Sequence, residues 1–586
     1  MITAINLKKM SKKYQQIIYK GLAIFVLALG LNSCESTELQ ILDSPNALTP
    51  TQADADLFLN SIQVGLGIFF DGDARGFTTI GVSEEGAEVT RMLHMFGPTY
   101  TNAYPPSDFD RAWERAYAEI LADIRALEPI AEEQQLYTHI GISKTIEAYI
   151  VMTLVDYFGD IPYSEALLGA ENTNPVLDDD AAVYEAIEDL LDEAIVQFNR
   201  DELNGASSDQ FYGGDETQWI KLVNTLKLKL YLQTRLVDSS VGGKISALLN
   251  EGNLILTEAD DFQFQYSNTN ANPDSRHPLF TRNFNVPADV ADYMSNSYMV
   301  RMKDEYLGRD PRTRYYFYRQ SLNFTEDPNE AECITQPRPL SYAPSDVFCS
   351  IGDGYWGRDH GDNDGIPPDG GLRTTWGVYP VGGLFDDSRG EAVSGRFIGL
   401  EGAGISPIML SSFTNFMLAE GVLTAGVTGD ARAYLEAGMR ASISKVIAFG
   451  ERLDYLDDTV IPDDPDTEDV DETQTVRDLY VPTTEDVDSY VNTVMATYDN
   501  ASGQERLEIV INEYMKALWG NGVEAYNTYR RTGLPSNMQP TYLENPGGFV
   551  NSFLYPNELV NQNSNASQKA DQTVRVFWAE GGPTLE

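Results

Sequence analysis

"LYTHIGISKTIEAYIVMTLVDYFGDIPY", residues 136–163, decides the fold of this chain. Ile146, Ile150 and Leu154 recur at steps of four, which gathers them on one face of a helix. Gly159 is the residue type best able to take the left-handed conformation that ends a helix, and Pro162 forbids its continuation. Asp160 stands where a carboxylate accepts backbone N–H groups at a turn, a structural part and not a chemical one. One long, mostly apolar helix with a hard stop is the unit from which the rest is read.

Working outward, the same period recurs. In "RAWERAYAEILADIRALEPI" (111–130) Trp113, Ala116, Tyr117, Ile120, Leu121, Ile124 and Leu127 form one apolar stripe, with Asp108 and Asp110 as capping candidates and Pro129 as the expected end. "AVYEAIEDLLDEAIVQF" (182–198) repeats it through Val183, Ile187, Leu190, Leu191, Ala194 and Phe198. "TQWIKLVNTLKLKLYLQTR" (217–235) is ambiguous, because Leu226 to Leu230 alternate as a strand does; its length and the Trp219, Leu222, Val223, Leu226, Leu230 spacing decide for a helix with Trp219 in the core. Helices return at 412–426, 430–450 and 504–533. The fold expected is mainly α, a helical-repeat scaffold of tetratricopeptide type over about 51–250 and 407–530. Between about 255 and 405 the texture changes to Gly, Pro, Asn, Asp and aromatics, a loop-rich region with short strands where binding surfaces usually lie. The acidic stretch 454–474 lacks an apolar period and reads as a solvated insertion. Helices at both ends make residues 51–586 one interlocked body.

The N-terminus carries a different message. Lys8, Lys9, Lys12, Lys13 and Lys20 precede an apolar run from Gly21 to Leu31 that is too short to span a bilayer. Leu31, Ser33 and Cys34 resemble the lipobox of bacterial lipoproteins, in which the cysteine is lipidated and becomes the new N-terminus; Asn32 departs from the small or β-branched residue usual there. Residues 1–33 are then a lipoprotein signal peptide and 34–50 a polar tether. The alternative is an ordinary signal peptide cut nearby, leaving a free thiol. Without residues 1–33, which hold five lysines and no acid, the net charge moves from −48 to −53. Such a surface repels nucleic acid and other polyanions. Cys333 and Cys349 lie 16 positions apart in a Pro-, Ser- and Asp-rich segment, and export favours a loop disulfide over two free thiols.

Four phrases in order resemble the SusD/RagB family of nutrient-binding lipoproteins. They are "LVDYFGDIPYSEAL" (154–167), "VYEAIEDLLDEAI" (183–195), "GGDETQWIKLVNTLKLKL" (213–230) and "AYNTYRRTGLP" (525–535); "RDHGDNDGIPPDGGLRT" (358–374) points to its SusD-like branch. The resemblance implies a surface lipoprotein of the outer membrane that sits on a SusC-like TonB-dependent transporter. It captures an oligosaccharide, or in some members an oligopeptide, and performs no covalent chemistry. Arg530 and Arg531 suit a bidentate grip on an internal Asp or Glu.

A sugar site needs aromatic faces and polar side chains. The family draws its pocket from the loop before an early long helix and from the irregular middle, which nominates Tyr100, Asn102, Tyr104, Tyr355, Trp356, Trp376 and Tyr379; each alone is also a plausible packing residue. No cofactor is required, although Asp359, Asp362, Asp364 and Asp369 around glycine turns offer oxygen ligands for calcium. Asp-Gly runs also make turns without metal, and the EF-hand spacing is missing. A surface glycosidase is the rival of different class, yet no carboxylate pair stands out among so many acids and no G-x-S-x-G, HExxH or P-loop is present.

Overall fold

In the computed structural model, residues 54–73, 81–202, 204–284, 292–305, 309–364, 372–393, 397–459 and 474–585 are described. The signal peptide, Cys34 and its tether, Asp369 and the middle of the acidic stretch (460–473) lie outside them.

The decisive stretch forms α4. The helices before it are α1 (Ala55–Asp71), α2 (Val82–Val89) and α3 (Ala122–Gln134), and α4 itself is Tyr137–Phe158. Almost every residue of α4 is buried, not only the Ile146, Ile150, Leu154 face. The reason is that α1 and α3 cover one side and α5 (Asp180–Phe198) the other. Gly159, at φ 74°, closes α4 by donating its N–H to the Val155 carbonyl at 2.8 Å, and Asp160 Oδ1 accepts the Asp180 N–H at 3.0 Å. Onto α5 packs α6 (Glu216–Gln233), capped by Asp215, and onto α6 pack α7 (Val241–Glu251) and α8 (Ser411–Thr424). The stack continues through α9 (Ala431–Gly450), α10 (Thr484–Asn500) and α11 (Gln504–Ala517). This neighbour-on-neighbour order is a helical-repeat architecture.

The last long helix, α12 (Gly522–Thr532), returns to α2. The crossing is glycine on glycine: a Cβ on Gly522 would stand 1.9 Å from the Ser83 carbonyl oxygen, and one on Gly86 2.2 Å from that of Gly522. Arg531 on α12 grips Glu420 of α8 through two bonds of 2.8 Å, as expected for an internal carboxylate. Arg530 differs: its guanidinium donates to the carbonyls of Asp156 (2.6 Å) and Asn551 (2.8 Å) and to Asn527, while its plane lies over Tyr526.

Three local expectations are corrected. The helix does not end at Pro129; it runs to Gln134, where Gln135 takes φ 58° and bonds back to Ala131 and Glu132. Buried Ile124, Leu127, Ile130 and Ala131 hold the turn that proline weakens. Asp108 and Asp110 do not cap this helix; Asp110 instead accepts the Glu558 N–H at 3.0 Å. The acidic stretch is not solvated throughout, because Leu456 is buried and Tyr455 accepts the Phe385 N–H at 3.0 Å.

The loop-rich middle is pinned at its ends. Strand β1 (Phe262–Gln265) pairs antiparallel with β4 (Ile405–Met409), Phe262 opposite Met409, so the region starts and finishes at one place. Inside it, β2 (Phe317–Tyr318) pairs with β3 (Thr375–Trp376). Short helices at Pro278–Phe284, Asn296–Asp304 and Thr313–Tyr316 lie between the strands.

Near that seam, Asp71 is buried, accepts hydroxyls from Ser406 and Tyr266, and burial pushes its pKa up to about 7. His277, 3.4 Å away, is driven down to about 3 by burial and is neutral, so it offers no ion pair. A raised folded pKa means the native state holds the proton more tightly than the unfolded chain; the stability it contributes is complete below about pH 4 and is lost as pH rises towards 7. Glu420, held below the carboxylate range by Arg531 despite its burial, works the other way and loses its contribution as pH falls below about 4. The expected result is a melting temperature highest near pH 5 and lower by about 2–4 °C at pH 8, on the order of 2–4 kcal/mol from Asp71 alone. Calorimetry of Asp71→Asn checks it: the pH 5 to pH 8 difference should shrink.

Candidate functional site

Three loops meet on one face: residues 93–104, residues 333–364 and residues 539–549. Backbone bonds stitch them, with the Gly361 N–H on Met95 (3.1 Å), the Tyr542 N–H on His360 (2.6 Å) and the Tyr100 N–H on Pro546 (3.0 Å). Side chains finish the joint. Arg91, itself buried, donates Nε to the Gln539 carbonyl and Nη2 to the Tyr100 hydroxyl. His94 Nε2 sits 2.8 Å from the Asp362 carbonyl. Cys333 and Cys349 are joined by a disulfide that closes the second loop.

Asp359 is the anchor of this junction. Its carboxylate accepts the Cys349 N–H at 2.8 Å, Gln539 Nε2 at 3.2 Å and Asn296 Nδ2 at 3.4 Å, and burial raises its pKa to about 6. Asp362 accepts the Asp364 N–H, while the Asp364 carbonyl takes Arg358 Nη1 at 2.6 Å. The Asp359 and Asp362 carboxylates thus accept bonds that fold the loop. The cavity they line with Asn296, Arg358 and the disulfide measures about 10 Å³, room for no more than a water. Among the described residues, the acidic trio whose oxygens do converge is Asp160, Asp179 and Asp180, and each of those accepts a backbone N–H.

The nominated aromatics stand elsewhere than expected. Tyr100, Tyr104, Tyr355, Trp356, Trp376 and Tyr379 are all at most 2% exposed, and only Asn102 reaches solvent. Tyr104 packs edge-on against Phe553, Trp376 lies on Trp519 and donates to Asp292, and Tyr379 stacks on Tyr316. Tyr355 donates to Asp386 between Arg309 and Arg319, and Trp356 lies beneath Arg373. The correction has a plain cause: a region with little regular structure builds its core from the largest side chains available.

What the face presents instead is Phe96, 40% exposed between His94 and Arg358, and a parallel pair, Phe348 on Tyr542 with centroids 6.1 Å apart and planes 5° off. Neither was nominated. Their signal is an aromatic beside turn residues: Phe96 before Gly97 and Pro98, and Tyr542 between Pro540 and Pro546.

Two family models match in chain order, "Starch-binding associating with outer membrane" over residues 92–334 and "Susd and RagB outer membrane lipoprotein" over 404–576. The chain belongs to the SusD/RagB family. It is thereby placed among outer-membrane lipoproteins that bind nutrients, and no helix among the described residues is long and apolar enough to cross a membrane. Solved structures carry the same fold. A SusD/RagB family protein from Bacteroides thetaiotaomicron is similar with a TM-score of 0.62 and 17% identity, over 90% of this chain and 99% of that one. A SusD homologue from Bacteroides fragilis gives 0.61 and 18% over 90% and 99%. A chitin-binding SusD homologue from Flavobacterium johnsoniae gives 0.58 and 17% over 90% and 98%. No curated protein sequence matches the chain. At these identities the likeness to solved structures speaks for the SusD fold, and the loop face must be read from its own residues.

Proposed function

We propose that this SusD/RagB protein captures oligosaccharides on the three-loop face and delivers them to a SusC-like TonB-dependent transporter, with no covalent step of its own. The observation that carries the reading is the solvent-reaching aromatic set, Phe96 and the partly exposed Phe348–Tyr542 pair, on loops locked by Arg91, Gln539 and Asp359. Sugar rings offer C–H faces to such aromatics, and a rigid support lowers the entropy lost on binding. The chitin-binding relative and the starch-binding family description agree with a glycan. Asp359 and Asp362 at the loop junction are engaged by internal donors, which favours binding over the two-carboxylate chemistry of a glycosidase. An oligopeptide is the second reading, favoured by a charge of −53 that attracts cationic chains. Titration of the purified lipoprotein with glycan and peptide panels tests the choice.

The anchor in this reading is a lipid on Cys34, with residues 34–50 as tether and the body at the cell surface. Cys34→Ala is expected to move the protein from the outer-membrane fraction to the soluble fraction; unchanged membrane association would defeat the anchor. Calcium enters no step, since binding it would pull Asp359 from three donors. Calcium added to chelator-stripped protein is therefore expected to leave the melting temperature unchanged, and a rise of several degrees removed by Asp362→Asn would restore the metal.

A further inference from the structure

Away from the stacked pair, a trough runs along α10. One end is a cleft of about 430 Å³ walled by Arg309, Arg314, Tyr480, Tyr490, Ser489 and Thr493. Ser489 and Thr493 also begin a shallow groove, open to solvent along one face of α10, that continues past Asn492, Ala496, Thr497 and Asn500. The groove wall is hydroxyl, amide and methyl, without a charge, on a chain whose surface is otherwise strongly acidic.

The cleft end carries both signs, Arg309 and Arg314 beside Asp310 and Asp486. Arg314 lies 4.5 Å over the Tyr480 ring, held by the Asp386 carbonyl at 2.7 Å and Ser388 Oγ at 2.9 Å. Arg309 stacks on Tyr355 at 5.4 Å beside Arg319, which is bound to the Asp386 carboxylate. Arg309 itself makes no salt bridge with any described residue. The two acids in the wall are occupied: Asp310 is clamped by Arg312 Nε and Nη2 at 2.9 and 2.7 Å, and Asp486 accepts the Thr483 N–H and hydroxyl at 2.8 and 2.6 Å. The guanidiniums crowd one another enough that burial and the Arg309 and Arg319 charges lower the pKa of Arg314. A partly buried guanidinium with open donors, beside an aromatic ring and followed by neutral hydroxyls and amides, has the parts for a carboxylate, a sugar ring and further hydroxyls in that order.

We propose that this trough is a second glycan site, selective for a chain that carries a uronate: its carboxylate meets Arg309, its ring lies against Tyr480, and neighbouring units run along the neutral face of α10. The assignment is independent of the loop face. The test is isothermal titration of the full lipoprotein in detergent with a trigalacturonate, a neutral trisaccharide and tri-aspartate. Expected are uronate binding that weakens as salt rises, and a loss of at least about tenfold, roughly 1.4 kcal/mol, in Arg309→Gln. Because Arg309 holds no salt bridge, that variant should melt with the native protein. Thr493→Trp, which fills the groove, should weaken the uronate equally, whereas Phe96→Ala should leave it unchanged. Failure of the native protein to bind the uronate, equal affinity for the neutral sugar in the Phe96→Ala, Tyr542→Ala double variant, tri-aspartate binding as tightly, or an unaffected Arg309→Gln would each overturn the proposal.

Discussion

Asp156→Ala is expected to destabilise the protein by about 3–5 kcal/mol, since it strips one partner from a buried charged network. For a body of this size that corresponds to a fall of about 3–5 °C in melting temperature. Asp156 is fully buried in the last turn of α4. Its carboxylate accepts the Tyr184 hydroxyl, Asn527 Nδ2 at 2.6 Å and Trp578 Nε1 at 3.0 Å, and lies 3.6 Å from Lys229. Its backbone carbonyl takes Arg530. One side chain thus ties α4, α5, α6 and α12 to the C-terminal segment. Alanine leaves three donors unpaired in the interior. Asp156→Asn, which keeps the shape, should cost less. Scanning calorimetry at a fixed rate measures both, and an alanine variant that melts with the native protein would remove Asp156 from the centre of the fold.

The second large effect concerns binding. Phe96→Ala combined with Tyr542→Ala is expected to weaken oligosaccharide affinity by about a hundredfold, roughly 2.7 kcal/mol, since two aromatic faces are lost together. Each single change should cost about tenfold. Both rings are partly exposed, so the folded body should survive the changes. Trp356→Ala, by contrast, should lower the melting temperature, because its ring is buried beneath Arg373. That split between affinity and stability separates the presented aromatics from the packed ones.

Local signals carried the helical scaffold. The stripe in α5 and the Gly159 stop in α4 depend on residues three or four apart, and a sequence displays them directly. The alternation in "LKLKL" misleads for a physical reason: Lys229 is not on a solvent face but buried, 2.6 Å from Glu524. The partners of Asp156 at positions 184, 229, 527 and 578 lie beyond any local window. The ligand face was harder still. Tyr355, Trp356, Trp376 and Tyr379 and the true surface aromatics share the same kind of Gly- and Pro-rich surroundings, and only the three-loop junction separates core from platform. Asp359 illustrates the same limit, since its donors come from residues 296, 349 and 539.

Recognition of a glycan through the three-loop face is tested by a glycan array probed with the native protein and the Phe96→Ala, Tyr542→Ala double variant. The native protein is expected to retain oligosaccharides, and the neutral ones to be lost in the double variant while the melting temperature holds. Retention of peptides with no glycan bound, or neutral glycan binding undiminished in the double variant, would contradict it.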